Sequence, residues 1–290
     1  MTPEEYCQER THRAGSSFYY SFLFLPREKR RDITALYAFC REVDDVVDEC
    51  RTDEVATTKL QWWRAELDRT YDGTPQHPVT RALQPVIERY GLAREYFHEI
   101  IDGMEMDLEE STYASFQDLA LYCQRVAGVV GLLSAEIFGY EDRRTLQFAQ
   151  DLGVAFQLTN ILRDVREDAA RGRVYIPQDE MACHCITVQD FQPGPLSDGM
   201  RRLLTEQAQR AHGYYDRALH KLPEADRHRQ RSSLIMAAIY RQTLRRIETE
   251  GFPVLERRVS LSPLHKLWLA WRTARYETRR HRRFERHGLP

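Results

Sequence analysis

The sequence predicts an all-α protein, built as a bundle of helices around a central cavity, and three observations carry this prediction. Apolar residues recur three or four positions apart along almost every segment, which is the period of an α-helix. Alternation with a period of two, which is typical of strands, is scarce. Turn residues punctuate the chain, yet no low-complexity linker or internal repeat divides it. We therefore expect a single domain spanning residues 1–290.

Glycine and proline mark the ends of the helices in order along the chain. Pro26 precedes the first helix, Gly73 follows the second, and Gly91 follows the third. Gly139 ends the fifth, and the Pro-Gly-Pro run at 193–195 precedes the seventh. The predicted helices cover residues 27–50, 54–72, 78–90, 93–109, 115–138, 142–170, 198–221, 226–250 and 263–285.

Composition and charge exclude several classes of protein. With 42 basic against 44 acidic residues and a net charge of -2, the chain lacks the basic excess of nucleic-acid-binding proteins, and we expect no such partner. The polar first 13 residues hold no apolar run of a signal peptide, and no stretch approaches the ~20 apolar residues of a transmembrane helix. We expect a cytoplasmic protein, at most peripheral at the inner face of a membrane.

The cysteines do not indicate a metal site. The chain has 6 of them, scattered along its length, and we expect reduced thiols. Cys183, His184 and Cys185 are adjacent, but the second Cys-x-x-Cys or His-x-x-x-His half of a zinc site is missing. We assign these three residues no role.

Basic residues concentrate in the C-terminal tail. Residues 257–290 carry ten basic and two acidic residues, and 38 of the 42 basic residues in the chain are arginines. The tail also places Leu264, Leu267, Trp268 and Trp271 at helical spacing. We expect a basic amphipathic helix whose apolar stripe docks on the body of the protein and whose basic face contacts anionic lipid. A charged helix that is only solvated is the alternative.

The first predicted helix combines an apolar surface with one polar line. Apolar side chains cover most of its circumference, which is typical of a buried helix. Tyr37, Arg41, Asp44 and Asp48 nevertheless follow one another along a single face, and Asp45 lies beside them. The helix predicted over 142–170 repeats this design. Its polar line comprises Gln157, Asn160, Asp164 and Asp168, with Arg163 beside it.

Two such lines are expected to face each other across the cavity, because buried carboxylates are costly unless something neutralises them. Five carboxylates around one space cannot all stay ionised without cations. Mg²⁺ is the natural partner, since it binds carboxylate oxygens together with substrate phosphate, which arginines would also grip. Solvated faces with local salt bridges are one alternative. A di-iron bundle built on Glu9/His12 and Glu95/His98 is another, disfavoured by the polar N-terminal stretch and the arginines beside the aspartates.

These two motifs, with their neighbours in this order, resemble the squalene/phytoene synthase family. The likeness rests on residues 37–48 and 157–168 and covers nearly the whole chain through residues 16–18, 122–131, 171–177 and 240–241. Residues 15–22 and 101–107 most resemble the bacterial presqualene diphosphate synthases of hopanoid pathways. The resemblance implies an isoprenoid-synthase-like helical bundle and a prenyltransferase.

The implied reaction is the Mg²⁺-dependent, head-to-head condensation of two farnesyl diphosphates to presqualene diphosphate. NADPH would be needed only if the enzyme also reduced this product to squalene, and the absence of a Gly-x-Gly-x-x-Gly fingerprint leans against that step. A complete squalene synthase and a phytoene or dehydrosqualene synthase remain alternatives. A separate downstream enzyme could take the intermediate onward. A non-catalytic helical scaffold that binds membranes or a partner is the alternative from another class, supported by the basic tail alone.

The resemblance also assigns roles to residues. Two or three Mg²⁺ ions would be held by Asp44, Asp45, Asp48, Asp164 and Asp168. Diphosphate oxygens would be contacted by Arg41, Arg163, Arg173 and Tyr175, with Asn160 in support. Ser17 and Phe18 would lie near the donor's head group, and the reacting centre would be lined by Tyr37, Arg41, Tyr122, Gln157 and Tyr240. Val126 and Gly131 would border an isoprenoid chain, although a glycine in this helix suits close helix packing equally well.

Overall fold

The computed structural model describes residues 1–13, 17–50 and 52–287, and it is all-α, as predicted. The α-helices are α1 (Pro3–Arg13), α2 (Phe18–Phe22), α3 (Arg27–Glu49), α4 (Asp53–Tyr71), α5 (Pro78–Tyr90), α6 (Arg94–Glu109), α7 (Phe116–Cys123), α8 (Val129–Phe138), α9 (Arg144–Ala170), α10 (Gln178–Cys183), α11 (Asp198–Lys221), α12 (Arg231–Thr249) and α13 (Pro263–His287). Short 3₁₀ turns lie at Val188–Phe191, Glu224–Asp226 and Pro253–Leu255. Within the described ranges the β pairing is limited to one isolated bridge, Thr112 with Val174.

Every predicted helix is present, and three further helices were missed. The helix predicted over 115–138 is α7 and α8 joined by one turn of π-helix, Gln124–Gly128. The helix predicted to begin at residue 226 begins at Arg231, because a 3₁₀ turn precedes it. The missed helices are α1, α2 and α10. The polar sequence of α1 concealed it, because only Cys7 and Thr11 are buried against its neighbours α3 and α5.

The core consists of two apolar clusters on opposite sides of a central cavity. One is built from α3 to α6 with part of α8, around Phe39 and Phe97. The other is built from α9, α11 and α12, with residues of α7 and α13, around Phe148 and Tyr215. The two helices that carry the aspartate motifs, α3 and α9, therefore belong to different clusters. Their polar lines meet at the space between the clusters.

Glycines allow α8 to lie very close to α9. A Cβ atom added to Gly131 would lie 2.2 Å from the backbone oxygen of Ala149. One added to Gly153 would lie 2.2 Å from the backbone oxygen of Ala127. Close backbone approach thus explains why residue 131 is a glycine. Gly131 also borders the cavity, so close helix packing and space for a ligand are both compatible with this glycine.

The segment Phe116–Phe138 is long and apolar enough to cross a membrane, with a mean hydropathy of 1.3, contrary to the expectation that no stretch would be. Core helices of folded proteins pass the same test. This segment packs against α6 and α9, and Leu133 and Ile137 are fully buried. We interpret it as a core element.

The C-terminal helix docks through a different face from the predicted one. Leu269, Ala270 and Ala274 are buried against the body of the protein. Glu277, only 3% exposed, accepts hydrogen bonds from Arg227 at 2.7 and 3.1 Å. The stripe predicted to dock, Leu264, Leu267, Trp268 and Trp271, instead faces outward. The prediction was wrong because helical spacing identifies a stripe and not the side on which the stripe lies.

Candidate active site

A cavity of about 510 Å³ lies between α3 and α9. One part of its wall is charged and the rest is mostly apolar. The charged and polar lining includes Tyr37, Arg41, Asp44, Asp48, Asp107, Tyr122, Gln157, Asn160, Arg163, Asp164, Asp168, Arg173 and Tyr175. The apolar lining includes Phe18, Phe22, Ile33, Leu36, Ile100, Met104, Val126, Val130, Leu152 and Phe138. The cavity can therefore receive a molecule with an anionic head and an apolar tail.

The polar line of α3 faces the cavity, with one exception. Tyr37, Arg41, Asp44 and Asp48 all border it, and Arg41 donates hydrogen bonds to Asp44 and Asp45. Asp45 does not border the cavity, because its carboxylate is bound by Arg10 of α1 as well as by Arg41. Asp45 is therefore placed to orient Arg41 and not, as expected from the sequence, to bind a metal ion.

The polar line of α9 faces the cavity from the opposite side. Arg163 Nε donates to Asp164 Oδ1 at 2.8 Å, and a second guanidinium nitrogen donates to Oδ2. Asn160 Nδ2 lies 3.3 Å from Gln157 Oε1, whereas Asn160 Oδ1 is buried without a hydrogen-bond partner. An unpaired buried oxygen is costly, so this amide oxygen is available to a ligand.

Burial and repulsion between carboxylates perturb the electrostatics of the site. Asp168 has its pKa raised to about 8, first by burial and then by the charges of Asp164 and Asp107. Burial raises the pKa of Asp44 to about 6, with Arg41 opposing this effect and the charge of Asp48 adding to it. Burial also acts on Asp164, but hydrogen bonds and charges from Arg163 and Arg258 outweigh it and lower the net pKa.

The segment after α9 contributes cations to the site. Arg171 and Arg173 each place a guanidinium nitrogen 3.2 Å from Asp48 Oδ1. Arg173 also donates to the backbone oxygen of Val47 at 3.3 Å. These contacts tie the segment to the carboxyl end of the α3 motif. Arg173 and Arg41 thus stand on either side of the α3 aspartates.

Asp107 on α6 is a site residue to which the sequence assigned no role. It borders the cavity and accepts hydrogen bonds from the hydroxyls of Tyr122 and Tyr175, both at 2.9 Å. Burial raises its pKa to about 6, while Arg173 and the two hydroxyls oppose this effect. The sequence signal that could have identified Asp107 is its carboxylate between the apolar residues Met106 and Leu108, near the end of a partly buried helix. This signal is weak on its own.

Arg258 is a second missed residue, and it comes from the segment before α13. Its guanidinium donates to both oxygens of Asp164, at 2.8 and 3.2 Å. No local pattern connects positions 94 residues apart in the chain, so sequence spacing could not reveal this contact.

Besides Asp45, two further residues expected at the site lie away from the cavity wall. Ser17 is not among the lining residues, although Phe18 is. Tyr240 lies behind the wall, with its ring centroid 4.8 Å from that of Phe156 and its hydroxyl hydrogen-bonded with Arg163. Of the segments carrying the resemblance, residues 14–16 lie outside the described residues.

The rival metal sites are not assembled. Glu9 pairs with Arg13 within α1, whereas His98 of α6 lies 3.3 Å from Asp68 of α4, and no metal-holding group of three such side chains is found here among the described residues. Cys183 and Cys185 are exposed. These observations leave the aspartate cavity as the candidate site.

The oxygen ligands around the cavity suit Mg²⁺. They are carboxylates of Asp44, Asp48, Asp164 and Asp168, with the unpartnered amide oxygen of Asn160 nearby. In the described part of the chain, no three His, Cys, Asp or Glu side chains converge closely enough to hold an ion by themselves. Mg²⁺ prefers one or two carboxylates completed by water and substrate phosphate, and these carboxylates could supply that part of its shell.

Comparison with known proteins identifies the family. The sequence model of squalene/phytoene synthases matches residues 11–265. The chain belongs to the squalene/phytoene synthase family. Members of this family are prenyltransferases that condense prenyl diphosphates head to head, and they generally use Mg²⁺ with these substrates.

Similar family members have differing products in their names. A 15-cis-phytoene synthase of Synechococcus elongatus is 34% identical over 275 residues, which cover 91% of this chain and 89% of the relative. A phytoene synthase of Mycobacterium tuberculosis is 38% identical over 263 residues, covering 90% and 86%. A dehydrosqualene synthase structure superposes with a TM-score of 0.87 at 27% identity, covering 96% and 97%. A squalene synthase structure from Alicyclobacillus acidocaldarius superposes with a TM-score of 0.77 at 30% identity, covering 86% and 94%.

Proposed function

We propose that this family member catalyses the Mg²⁺-dependent condensation of two farnesyl diphosphates to presqualene diphosphate, with release of one diphosphate. The observation that carries the proposal is the cavity, in which the aspartate and arginine lines of α3 and α9 face one another beside apolar walls. The choice of farnesyl diphosphate rests on the resemblance of residues 15–22 and 101–107 to presqualene diphosphate synthases.

The arginines would bind diphosphate by exchanging partners. Arg41, Arg163 and Arg173 are each bound to an aspartate of the motifs in the absence of substrate. Guanidinium groups match phosphate oxygens in bidentate geometry, so an incoming diphosphate can replace the carboxylate. The released aspartates would then hold Mg²⁺, which supplies positive charge that stabilises the departing diphosphate.

The reaction needs an allylic cation to form away from water. The C–O bond of the donor breaks, and its electron pair leaves with the diphosphate. The C2=C3 double bond of the acceptor then forms the new carbon–carbon bond, and loss of one proton closes the cyclopropane ring. The apolar walls exclude water that would capture the cation. The rings of Phe18 and Tyr37, with centroids 5.1 Å apart at the wall, can stabilise positive charge through their π faces.

Phytoene synthesis from geranylgeranyl diphosphate is the second candidate. The observation that favours it is the set of relatives named phytoene synthase, at 34% and 38% identity over about nine tenths of this chain. Both reactions use the same first step, so the charged part of the cavity suits either. The length of the apolar tail distinguishes them.

Product analysis tests both candidates. The purified protein is incubated with Mg²⁺ and either farnesyl or geranylgeranyl diphosphate, with and without NADPH. The proposal predicts presqualene diphosphate from farnesyl diphosphate in both cases. Squalene appearing only with NADPH would indicate the complete two-step reaction, and phytoene would indicate the carotenoid branch. If Mg²⁺ promoted neither turnover nor binding of either substrate, the non-catalytic scaffold would replace the proposal.

The cellular context follows from the proposed product. Presqualene diphosphate retains a diphosphate and two apolar chains, so a further enzyme must consume it. A cytoplasmic location beside the inner face of a membrane would suit an amphiphilic substrate and product. Cell fractionation tests this location, which recovery in the periplasm would contradict.

A further inference from the structure

Helix α13 carries an exposed apolar patch that the catalytic cavity does not explain. Leu264, Leu267, Trp268 and Trp271 are 79%, 42%, 48% and 50% exposed. Their spacing places them on one side of the helix. We call these four residues the outer face of α13. Two adjacent exposed tryptophans flanked by two exposed leucines form an unusual surface for a folded protein.

Arginines continue this side of the helix towards its C-terminal end. Arg275, Arg279, Arg282 and Arg286 are all exposed and follow the outer face at the same helical spacing. Arg272 lies over the Trp268 ring at 4.4 Å, and Arg275 lies over the Trp271 ring at 5.5 Å. The helix therefore presents an apolar aromatic half followed by a basic half.

The opposite face of α13 is already occupied by the protein itself. Leu269, Ala270 and Ala274 are buried there, and Glu277 binds Arg227. Further along, Arg280 binds Glu224. Because these contacts hold the helix in place, the exposure of the outer face does not reflect incomplete docking. The outer face remains available to an external partner.

The first turn of α13 lies near the charged part of the cavity. Lys266, on the first turn of α13, has a lowered pKa, caused by burial and then by the nearby charges of Arg163 and Arg258. Arg258 itself binds Asp164 of the α9 motif. The start of α13, on the side opposite the outer face, thus lies close to the place where substrate is expected to bind.

We propose that the outer face of α13 docks on an anionic lipid bilayer, with its tryptophans and leucines at the headgroup boundary and its arginines on the headgroups. Tryptophan favours this boundary, and arginines are attracted to anionic lipid within about 10 Å of the surface. A second copy of the chain is a poorer partner, because residues 257–290 carry a net charge of +8 and two such helices repel each other.

Vesicle flotation of the full chain tests this proposal. The vesicles are phosphatidylcholine alone or phosphatidylcholine mixed with phosphatidylglycerol. We expect binding to the mixed vesicles that declines with salt, and weak binding to the neutral ones. Arg275→Glu/Arg279→Glu/Arg282→Glu should lower the affinity for mixed vesicles by about 100-fold or more, since each arginine contributes about fivefold. Trp268→Ser/Trp271→Ser should lower it roughly tenfold or more, because it removes the rings expected at the headgroup boundary.

Matched controls separate the outer face from general surface effects. Arg81, Arg202 and Arg245 are exposed elsewhere, so Arg81→Glu/Arg202→Glu/Arg245→Glu makes the same charge change. Trp62 is 42% exposed on α4, so Trp62→Ser is the apolar control. Circular dichroism verifies that all variants are folded. Brominated lipid should quench the fluorescence of the wild-type protein and lose that effect in the double tryptophan variant.

Three outcomes overturn the proposal. The first is flotation that does not depend on anionic lipid. The second is an equal loss of flotation in the control variants. The third is a protein that binds neither kind of vesicle but forms a dimer, detected by sedimentation velocity, which Trp268→Ser/Trp271→Ser dissociates. The outer face would then be a contact between copies.

Discussion

Arg258 and Asp164 are joined by two hydrogen bonds, at 2.8 and 3.2 Å, that connect the segment before α13 to the aspartate motif of α9. Arg163 binds the same carboxylate from within the helix. Two guanidinium groups thus converge on one aspartate at the wall of the cavity. Since a diphosphate is a better partner for two guanidinium groups than one carboxylate is, this pair indicates where substrate charge will lie.

We expect Arg258→Ala to lower kcat/KM about 30-fold to 160-fold, because a charge-assisted contact to a phosphate contributes roughly 2–3 kcal/mol. Steady-state kinetics with farnesyl diphosphate measure the effect. Arg257→Ala is the matched control, since this neighbouring arginine binds the exposed Glu250 and not the site. Equal values of kcat/KM for the wild-type and Arg258→Ala proteins would show that Arg258 does not contribute to substrate binding or turnover.

Asp48→Asn should abolish turnover, by about 1000-fold or more, while leaving the fold intact. The change keeps the size of the side chain but removes a charge that would hold Mg²⁺. Asp216→Asn serves as the control, because Asp216 is 67% exposed and pairs with Arg241. The rate is measured at saturating Mg²⁺, and thermal unfolding reports on the fold. A near-normal rate for Asp48→Asn would contradict the proposed metal site.

Without Mg²⁺, the wild-type protein should lose stability relative to Asp168→Asn as the pH rises from about 4 to 8. Burial and nearby carboxylates raise the pKa of Asp168 from 3.8 to about 8, so over this range the folded state holds a proton that the unfolded state releases. Mg²⁺ with inorganic diphosphate would then raise the Tm more at pH 8 than at pH 6, because at pH 8 it has less competition from protons.

Asp168→Asn is the accompanying variant for this pH dependence. It should raise the Tm of the Mg²⁺-free protein at pH 8, because it removes a carboxylate that folding must otherwise bury next to others. Differential scanning calorimetry across the pH range provides the measurement. A stability difference between the wild type and Asp168→Asn that does not change between pH 4 and 8, or a lower Tm for the variant at pH 8, would contradict the raised pKa of Asp168.

Tyr175→Phe should raise the pKa of Asp107, which a carbon-13 NMR titration of its carboxyl group measures. Burial sets the pKa of Asp107 at about 6, and the Tyr175 hydroxyl helps to hold it down, so removing that donor raises the pKa further. Tyr113→Phe is the control, because the Tyr113 hydroxyl is buried without a hydrogen-bond partner while its ring stacks on Tyr175. Identical shifts in both variants would assign the effect to packing.

Gly131→Ala should destabilise the fold by about 2 kcal/mol or more. The new methyl group would lie 2.2 Å from the backbone oxygen of Ala149, and a backbone atom in a helix cannot move aside easily. Gly213→Ala on α11 is the control, since nothing lies within 4 Å of its added Cβ. It should stabilise the protein by roughly 0.5–1 kcal/mol. Chemical denaturation measures both, and equal stabilities would rule out the close approach of α8 and α9.

The parts of the site that follow helical spacing could be predicted from the sequence. Asp44 and Asp48 share a face with Arg41 because they lie one turn apart, and the same holds for Asp164 and Asp168. Their expected position on opposing walls of one cavity agrees with the structure. The same argument correctly identified the helices with strong apolar periodicity.

Contacts made by distant segments could not be predicted in this way. Asp107 receives its hydroxyl partners from α7 and from the segment after α9, and Arg258 reaches a residue 94 positions away. Asp45 looked equivalent to Asp44 in sequence but is bound by Arg10 from α1, a helix whose polar pattern concealed it. The side on which the Trp268 stripe lies depended likewise on tertiary packing.

The most direct test of the central claim is mass spectrometry of the product formed from farnesyl diphosphate and Mg²⁺ without NADPH, by the wild-type protein and by Asp48→Asn in parallel. We predict presqualene diphosphate from the wild type, with one diphosphate released per product, and none from the variant. A wild-type protein that yields no condensation product from farnesyl or geranylgeranyl diphosphate, or a variant that yields as much as the wild type, would contradict the account.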